Sequence, residues 1–437
     1  MMKKIFVTMI FSFFLFSANA LDLVEIESSL ADIFSSSIDK NEGTTVFRSM
    51  NIPAGGRTEA LGTAFTALCD DASFFDYNPA ASAVLEQTEI AVFHNAWISD
   101  SALETIAATR RNGSLGYGAQ LKCFYVPFSE YNLYGDRVAG NYYSETSATL
   151  NAAYNLFSGY LFKGLSVGAN AKIAWRSIPD YTDNKNDSVI SGSGLAQSAL
   201  GLMADTGILL RFNALKFYQD RTANLRLALT VNNLGIALTG FGDSIKKDDD
   251  TPARISAGLS YKPLSRLTFT GEIRKPVLIS DFSSSGKLSV ATGIETQVTQ
   301  IFAFQLGFLL QGANPRFSMG SEFDIKGIKM NVAYTLDLTS SANLVNHISL
   351  GAKIHFGDRG RKAAMEKVDE YYLAGLKFYA EGYYDEAIFK WNQAINTAAK
   401  SPLNMRFEPA IQARKAAINF NSSKSELENL YSIVVDD

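Results

Sequence analysis

The chain has 437 residues, of which 47% are hydrophobic and 12% aromatic, with 40 basic against 44 acidic side chains and a net charge of −4. A mean hydropathy of zero is too polar for a bundle of membrane-spanning helices, and no strongly basic surface is present to suit a nucleic-acid partner. The 30 Phe and 19 Tyr suit a barrel with aromatic girdles without proving one.

Residues 1–20 have the layout of a secretory signal peptide. Lys3 and Lys4 give a positive start, residues 5–16 an apolar run, and Ala18-Asn19-Ala20 a small-x-small cleavage site. The run is short for a membrane anchor, and no cysteine near the cleavage site offers a point of lipid attachment. No later stretch has about 18 or more unbroken apolar residues, so any membrane residence has to be through strands. Residues 21–46 form a leader in which Val24, Ile26, Leu30, Ile33 and Phe34 make a rough helical stripe. Residues 47–87 are rich in Ala, Gly and Asp and alternate poorly, and Pro79 argues against a regular strand.

From 88 to 356 the pattern changes to period two. In 164–175, Leu165, Val167, Ala169, Ala171, Ile173 and Trp175 share one face, against Ser166, Gly168, Asn170 and Lys172 on the other. Segments 145–157, 224–233, 327–338 and 346–356 repeat it, and further strands are expected near 89–99, 103–110, 114–126, 198–212, 253–262, 265–274, 288–296, 300–310 and 315–325. The sum is about fourteen strands, an even number, each long enough to cross a bilayer when tilted. With the first strand running outward, the odd connections 127–144, 176–197, 235–252, 275–287 and 339–345 are long or polar. Most even ones are short, such as Arg111-Asn112-Gly113 and Pro263-Leu264, although the sixth, 213–223, is long and the first and eleventh are shorter than the pattern asks. Long outside and short inside is the asymmetry of an outer-membrane barrel. A soluble β-sandwich also alternates, but it explains neither the loop parity nor an apolar face that carries no charge over so many strands. Mixed charges fall on the polar face: Lys122, Lys172, Asp205, Arg211, Arg226, Arg254, Glu272, Glu322, Lys329 and Lys353.

After Phe356 the alternation stops. Gly357 to Gly360 reads as a linker, and 361–437 as a helical domain interrupted by Pro402 and Pro409. Gly375, Phe378, Gly382, Tyr384, Ala387, Trp391 and Ala394 fit the small-and-aromatic spacing of one tetratricopeptide-like repeat. One repeat cannot bury both its faces, so helix 403–420, through Phe407, Ile411 and Ala416, is expected to cap it. The domain then serves as a docking surface for a periplasmic protein, or is a self-contained hairpin that caps the barrel.

The string Ala67-Leu68-Cys69-Asp70-Asp71-Ala72-Ser73-Phe74-Phe75-Asp76-Tyr77-Asn78-Pro79-Ala80-Ala81, approached by Arg57-Thr58-Glu59-Ala60-Leu61-Gly62, resembles the N-terminal segment of the FadL family of long-chain fatty acid transporters and of related PorV-type outer-membrane proteins. The resemblance spans about residues 47–356 and looks closest to spirochaetal FadL-like proteins with a helical extension. It implies that 47–87 folds into the lumen of the barrel 88–356 as a hatch, with Asn78, Pro79 and Ala80 as its signature. From the residues alone, Asn78 can cap a turn and Pro79 stiffen it; Asn-Pro is also a common plain turn. The family's ligand-binding residues do not map here by motif. Lys122, Lys172, Arg226 and Arg254 are the basic lumen residues considered as partners for a fatty-acid carboxylate, against the plainer reading as lumen ion pairs.

Other chemistry is not evident. No phosphate-binding glycine loop is present, His94, His347 and His355 lack metal-ligand spacing, and no charge-relay set is readable. No cofactor, metal or enzymatic activity is expected. Asp248-Asp249-Asp250 could attract a divalent cation but more simply forms a solvated loop tip. Cys69 and Cys123 could pair in an oxidising compartment or stay as small apolar residues. The expectation is a mainly β protein of the outer membrane, in contact with its lipid. It would pass hydrophobic molecules such as long-chain fatty acids through a plugged barrel, with the helical domain in the periplasm. The alternative is a PorV-like anchor or shuttle for exported proteins, docking them through that domain.

Overall fold

The computed structural model describes residues 44–435, apart from 99, 133, 157–161, 184–187, 219–221, 243, 313, 326, 339–345, 358–359, 402 and 404. The signal peptide and all but the last residues of the leader 21–46 lie outside the described residues, as does Pro402.

The strands are β1 (Glu89–Ala96), β2 (Ala102–Asn112), β3 (Leu115–Tyr131), β4 (Arg137–Leu156), β5 (Phe162–Ser177), β6 (Ala199–Phe212) and β7 (Leu225–Thr239). After the two-residue β8 (Lys246–Lys247) come β9 (Arg254–Leu264), β10 (Leu267–Pro276), β11 (Ser289–Gln297), β12 (Phe302–Gln311), β13 (Asn314–Ile325), β14 (Ile328–Asp337) and β15 (His347–His355). Each long strand pairs antiparallel with the next, and the ring shuts where β1 meets β15, from Glu89↔His355 to Ala96↔Ile348. β8 only extends the end of β7 at Leu238 and Thr239. Fourteen strands therefore form a closed barrel among the described residues, with no unpaired edge left to aggregate.

Burial along the strands is inverted relative to a soluble protein. On β3, β4 and β5 the apolar Leu121, Leu150 and Ile173 are 55%, 67% and 49% exposed, whereas the polar Asn151, Ser166 and Asn170 are 6%, 0% and 2% exposed. Adjacent residues point to opposite faces, so the outward set is mainly apolar and the inward set mainly polar; contrary to the expected charge-free outer face, Glu104 and Arg110 of β2 point outward, Glu104 paired with His94 at 2.7 Å. A sandwich core would require the reverse. Only an apolar solvent outside makes this arrangement favourable, which identifies an outer-membrane-type barrel.

The connection 127–144 differs from expectation. β3 and β4 continue through it as a hairpin, with Val126↔Tyr143 and Ser129↔Gly140 in register, and turn at 132–136. Its residues are half-exposed on both faces. With no face buried in lipid the alternation signal vanishes, although the backbone ladder goes on. The link 213–224 remains long on the rim that carries the short turns, and 178–198 on the opposite rim includes the helical turn Ser193–Gln197.

Beyond the barrel stand α1 (Arg361–Ala380), α2 (Tyr384–Lys400) and α3 (Glu408–Val435). The register Glu89↔His355 places both ends of the barrel chain on the short-turn rim, so α1 departs from that rim. Its first residue, Arg361, donates to the carbonyl oxygens of Glu86 and Arg111. Pro409 sits in the first turn of α3, where a missing N–H costs nothing. α3 runs well past the expected end near 420. No helix among the described residues is long and apolar enough to cross a membrane.

Candidate functional site

Residues 44–87 lie inside the barrel against the inward faces of its strands, mostly fully buried. One half of this segment is held mainly by neutral contacts. Two 3₁₀ turns, Ala72–Asp76 and Pro79–Ala83, follow one another. Asn78 caps the second: its Oδ1 accepts from the Ala80 N–H at 3.0 Å, while Nδ2 donates to the Thr66 and Ile208 carbonyls at 3.1 and 3.2 Å. Pro79 opens that turn, where its fixed φ suits the helical start. The barrel answers with amides. Asn151 donates to the Pro79 carbonyl at 2.9 Å, Asn170 to Phe75 and Asn232 to Tyr77, both at 3.2 Å.

The close approach depends on wall residues without side chains. A Cβ at Gly116, Gly168 or Gly207 would overlap Ser82, the Pro79 carbonyl or the Asn78 amide. A second seam receives residues 60–62, where a Cβ at Gly307 would overlap Gly62 and one at Gly293 would reach the Leu61 carbonyl at 2.7 Å. Gly62 has φ +60 and lies against the Phe308 backbone, so no other residue fits there. These glycines all fall on the inward phase of their strands.

The other half is held by charge. Arg57 is the hub, its guanidinium 2.6 Å from Glu295, 2.5 Å from Asp70 and 3.1 Å from Asp71. Lys353 on β15 reaches Asp71 at 2.5 Å and Glu322 at 3.7 Å. Burial alone would favour protonation of Asp71, but Lys353 and then Arg57 outweigh it and hold its carboxyl well below the usual carboxylate range. Glu272, paired with Arg274 at 2.5 Å, accepts the Phe65 and Thr66 N–H groups at 3.0 and 2.9 Å. Ser349 accepts the Gly56 N–H at 3.0 Å, His347 approaches Glu59 at 3.4 Å, and Glu89 joins the Ala72 N–H at 2.8 Å to His355 at 2.9 Å. Every inward residue of β15 thus touches or adjoins the inner segment.

Of the four basic residues considered as carboxylate partners, all point inward, but from four different strands. Lys122 donates to the Ile52 carbonyl at 2.5 Å and pairs with Asp76 at 3.2 Å. Lys172 pairs with Asp205 at 2.7 Å and donates to Asn233 at 2.8 Å. Arg254 donates to the Asp76 carbonyl at 2.5 Å, and Arg226 to that of Leu68. In this state they hold the segment or the wall, and the structure does not bring them to one site. A cavity of about 70 Å³ lies on the long-loop rim between Thr44, Arg48, Asn51, Pro252, Val277 and Lys287. Pockets that enclose a ligand run to about 300–1,000 Å³, so this cavity is too small to hold one. Sequence reasoning missed the charges of the segment itself, Arg57, Glu59, Asp70, Asp71 and Asp76, and it missed the seams. The signal for the seams was available as glycine on the inward phase.

Cys69 is buried and Cys123 half-buried, and neither forms a disulfide. Asp248 pairs with Arg176 at 2.9 Å and Asp250 accepts from Ser280. No group of three metal-ligating side chains occurs among the described residues.

In the helical part, a Cβ at Gly375 would overlap the Trp391 ring, so the glycine admits the indole, whose Nε1 donates to the Tyr372 carbonyl at 3.2 Å. Ala387, Trp391 and Ala394 are buried, and Phe378 packs against them. Gly382 turns the chain at φ +87, and Tyr384 packs on Tyr379 and Phe420 at 5.3 and 5.2 Å. Phe407 packs edge-on to Tyr372, and Ala410 and Ala417 of α3 are buried. Ala416, expected to contribute, is exposed because the helix phase is one residue away.

Among solved structures, the chain is similar to the CymD monoaromatic hydrocarbon channel, at 13% identity and TM-score 0.47 over 70% of this chain and 98% of that one. It is similar to the Pseudomonas putida toluene transporter TodX, at 12% and 0.46 over 69% and 96%, and to a Pseudomonas aeruginosa FadL homologue, at 11% and 0.41 over 70% and 98%. Two Treponema pallidum (strain Nichols) relatives, both described as UPF0164 protein, are 31% identical over 88% of this chain and 86% of the relative, and 29% identical over 83% and 73%. The sequence model of the uncharacterised protein family UPF0164 matches residues 22–359, and the chain belongs to that family.

Proposed function

We propose that this protein is a gated outer-membrane transporter for hydrophobic molecules, with long-chain fatty acids as the substrate class to test first. The observation that carries the reading is the seat of residues 44–87, the hatch. Glycine seams and amide-to-carbonyl bonds lodge the segment in the lumen, and no disulfide locks it to the strands it packs against. Such a segment can be displaced and reseated. A greasy solute gains nothing from a water-filled pore, whereas the Phe65, Phe74, Phe75 and Tyr77 cluster offers apolar surface once the hatch shifts. Asn78, Pro79 and Ala80 form the pivot of that seat. The short-turn rim belongs on the periplasmic side, as in other barrels, which puts the helical domain in the periplasm.

The test is uptake of labelled fatty acid into liposomes holding the purified protein, with a control whose hatch is cross-linked to the wall. Uptake no faster than in empty liposomes would sink the transport claim. The ion-paired contacts between the inner segment and the wall favour a second reading, a docking barrel that anchors exported proteins through the tetratricopeptide-like tail. Deleting 361–437 separates the two, since transport survives the deletion and docking does not.

A further inference from the structure

Three inward-facing guanidiniums gather where the lumen meets the short-turn rim. Arg211 on β6 and Arg226 on β7 are direct register partners. Arg111 on β2 is near enough to act on Arg211 electrostatically, as Arg226 does. Arg361 of α1 backs them, donating to the Arg111 carbonyl at 3.2 Å and adding its charge. Like charges directly opposite one another destabilise a sheet, so this arrangement calls for a compensating anion.

The chain supplies little of one. Arg211 donates to the Lys163 carbonyl at 2.6 Å and the Asn155 amide oxygen at 3.2 Å, and its buried Nε has no partner. Arg226 donates to the Leu68 carbonyl, and Arg111 to those of Gly113 and Leu85 at 2.7 and 3.4 Å. Carbonyls satisfy hydrogens but do not neutralise charge. Among the described residues, no carboxylate forms an ion pair with Arg111, Arg211 or Arg226. Glu86 acts on Arg111 and Arg211 from beyond bonding distance, and Asp70 acts on Arg226 while its own oxygens are held by Arg57. Cys69 is near enough to feel Arg226 and Arg211, but burial pushes its thiol up, so it stays neutral. Between β2 and β6 the inward residues near this rim are Gly116, Asn155, Gly164 and Ser166, all uncharged. Arg111, Arg211 and Arg226 are only partly buried, so solvent reaches them.

We propose that this arginine arc is a binding site for the oxyanion head of an amphipathic ligand, a carboxylate or a phosphoryl group, at the short-turn mouth of the barrel. Each guanidinium presents five donors in a rigid fork that matches such heads. Lys122 and Lys172 differ, being paired with Asp76 and Asp205. The arc rests on the transport reading only for the source of the anion, which would be a fatty acid leaving the hatch. Binding is measured without uptake, so either can fail alone.

The experiment is equilibrium dialysis of the full-length protein in micelles against labelled decanoate, with decanol as the uncharged probe and inorganic phosphate as competitor. Replacing both Arg211→Gln and Arg226→Gln should weaken decanoate binding by about 10-fold or more, the scale of a lost charge-assisted bond, and leave decanol unchanged. The paired Arg→Lys variants should bind decanoate more weakly than the native protein but more tightly than the glutamine variants, because the charge is kept while the fork is lost. Should the double variant not fold, Arg211→Gln alone gives the same readout. Displacement of decanoate by phosphate at the arc supports the site and assigns it to phosphoryl heads, while resistance to phosphate supports it for carboxylates. Unchanged decanoate affinity in the glutamine variants, or an equal loss for decanol, overturns the proposal.

Discussion

The two halves of the inner segment are held by different physics. Residues 72–83 sit mainly on a wall of glycine and asparagine, where fit depends on shape and on amide-to-carbonyl bonds, with Lys122 on Asp76 and Glu89 on the Ala72 N–H as the charged contacts. Residues 55–71 sit among Arg57, Lys353, Glu295 and Glu322, where fit depends on compensated charge. Shape tolerates no added atom but ignores pH and salt. Buried charge tolerates small shifts but not the loss of a partner. A segment anchored both ways can release one half while the other keeps it in register.

The largest effect is expected from Lys353→Met, which takes the nearer of two cations from Asp71, leaving Arg57, and one of two from Glu322, leaving Lys329. Breaking a buried pair costs about 3–5 kcal/mol. Hydrogen exchange should rise across 55–71 and stay slow across 72–83. Equal exposure of both halves would show that they are one unit and remove the distinction. Next comes Gly168→Val, which drives a side chain into the Pro79 carbonyl. Overpacking costs about 1–3 kcal/mol, and here 72–83 should become protease-sensitive while the Arg57 cluster holds. Asn78→Ala removes a cap and two further bonds, for about 1–2 kcal/mol. Urea unfolding in liposomes would measure it, and a loss no larger than that of a surface substitution would demote the Asn-Pro-Ala turn.

The smallest expected effect is with pH. Asp70, Asp71 and Glu59 are all held below their ordinary values, burial opposing this and Arg57, Lys353 and His347 respectively prevailing. A depressed carboxyl contributes stability that is fully present above its unfolded pKa of about 4 and is lost as pH falls through the folded value. Exchange around Asp70 and Asp71, whose cations Arg57 and Lys353 keep their charge over this range, should therefore be flat from pH 8 to 5 and rise only below about 4. A transition near neutral pH would show that these carboxylates do not control the seat.

The barrel was legible because lipid imposes a period of two on every strand it touches. Leu165 to Trp175 read as strand from the sequence and are strand in the structure. The hairpin extension at 127–144 was not legible, since outside the bilayer neither face of Tyr142 and Tyr143 needs to be apolar. The turn at Asn78 and Pro79 was readable from local chemistry, because an Asn cap and a Pro start need only neighbours. Arg57 was not readable, because its partners Asp70 and Glu295 are 13 and 238 residues away and no local pattern encodes a long-range ion pair. The glycines of the wall lie between, being local in phase but meaningful only once something is known to press against them.

Arg361 joins three parts of the chain at one point: the start of α1, the carbonyl of Glu86 at the end of the inner segment, and the carbonyl of Arg111 at the β2 turn. Tension on the helices would therefore load this junction before it loaded the β-ladder. A pull on the tail would be felt first by the last residues of the segment that blocks the lumen, a mechanical linkage of a few bonds between whatever grips the helices and the seat inside the barrel.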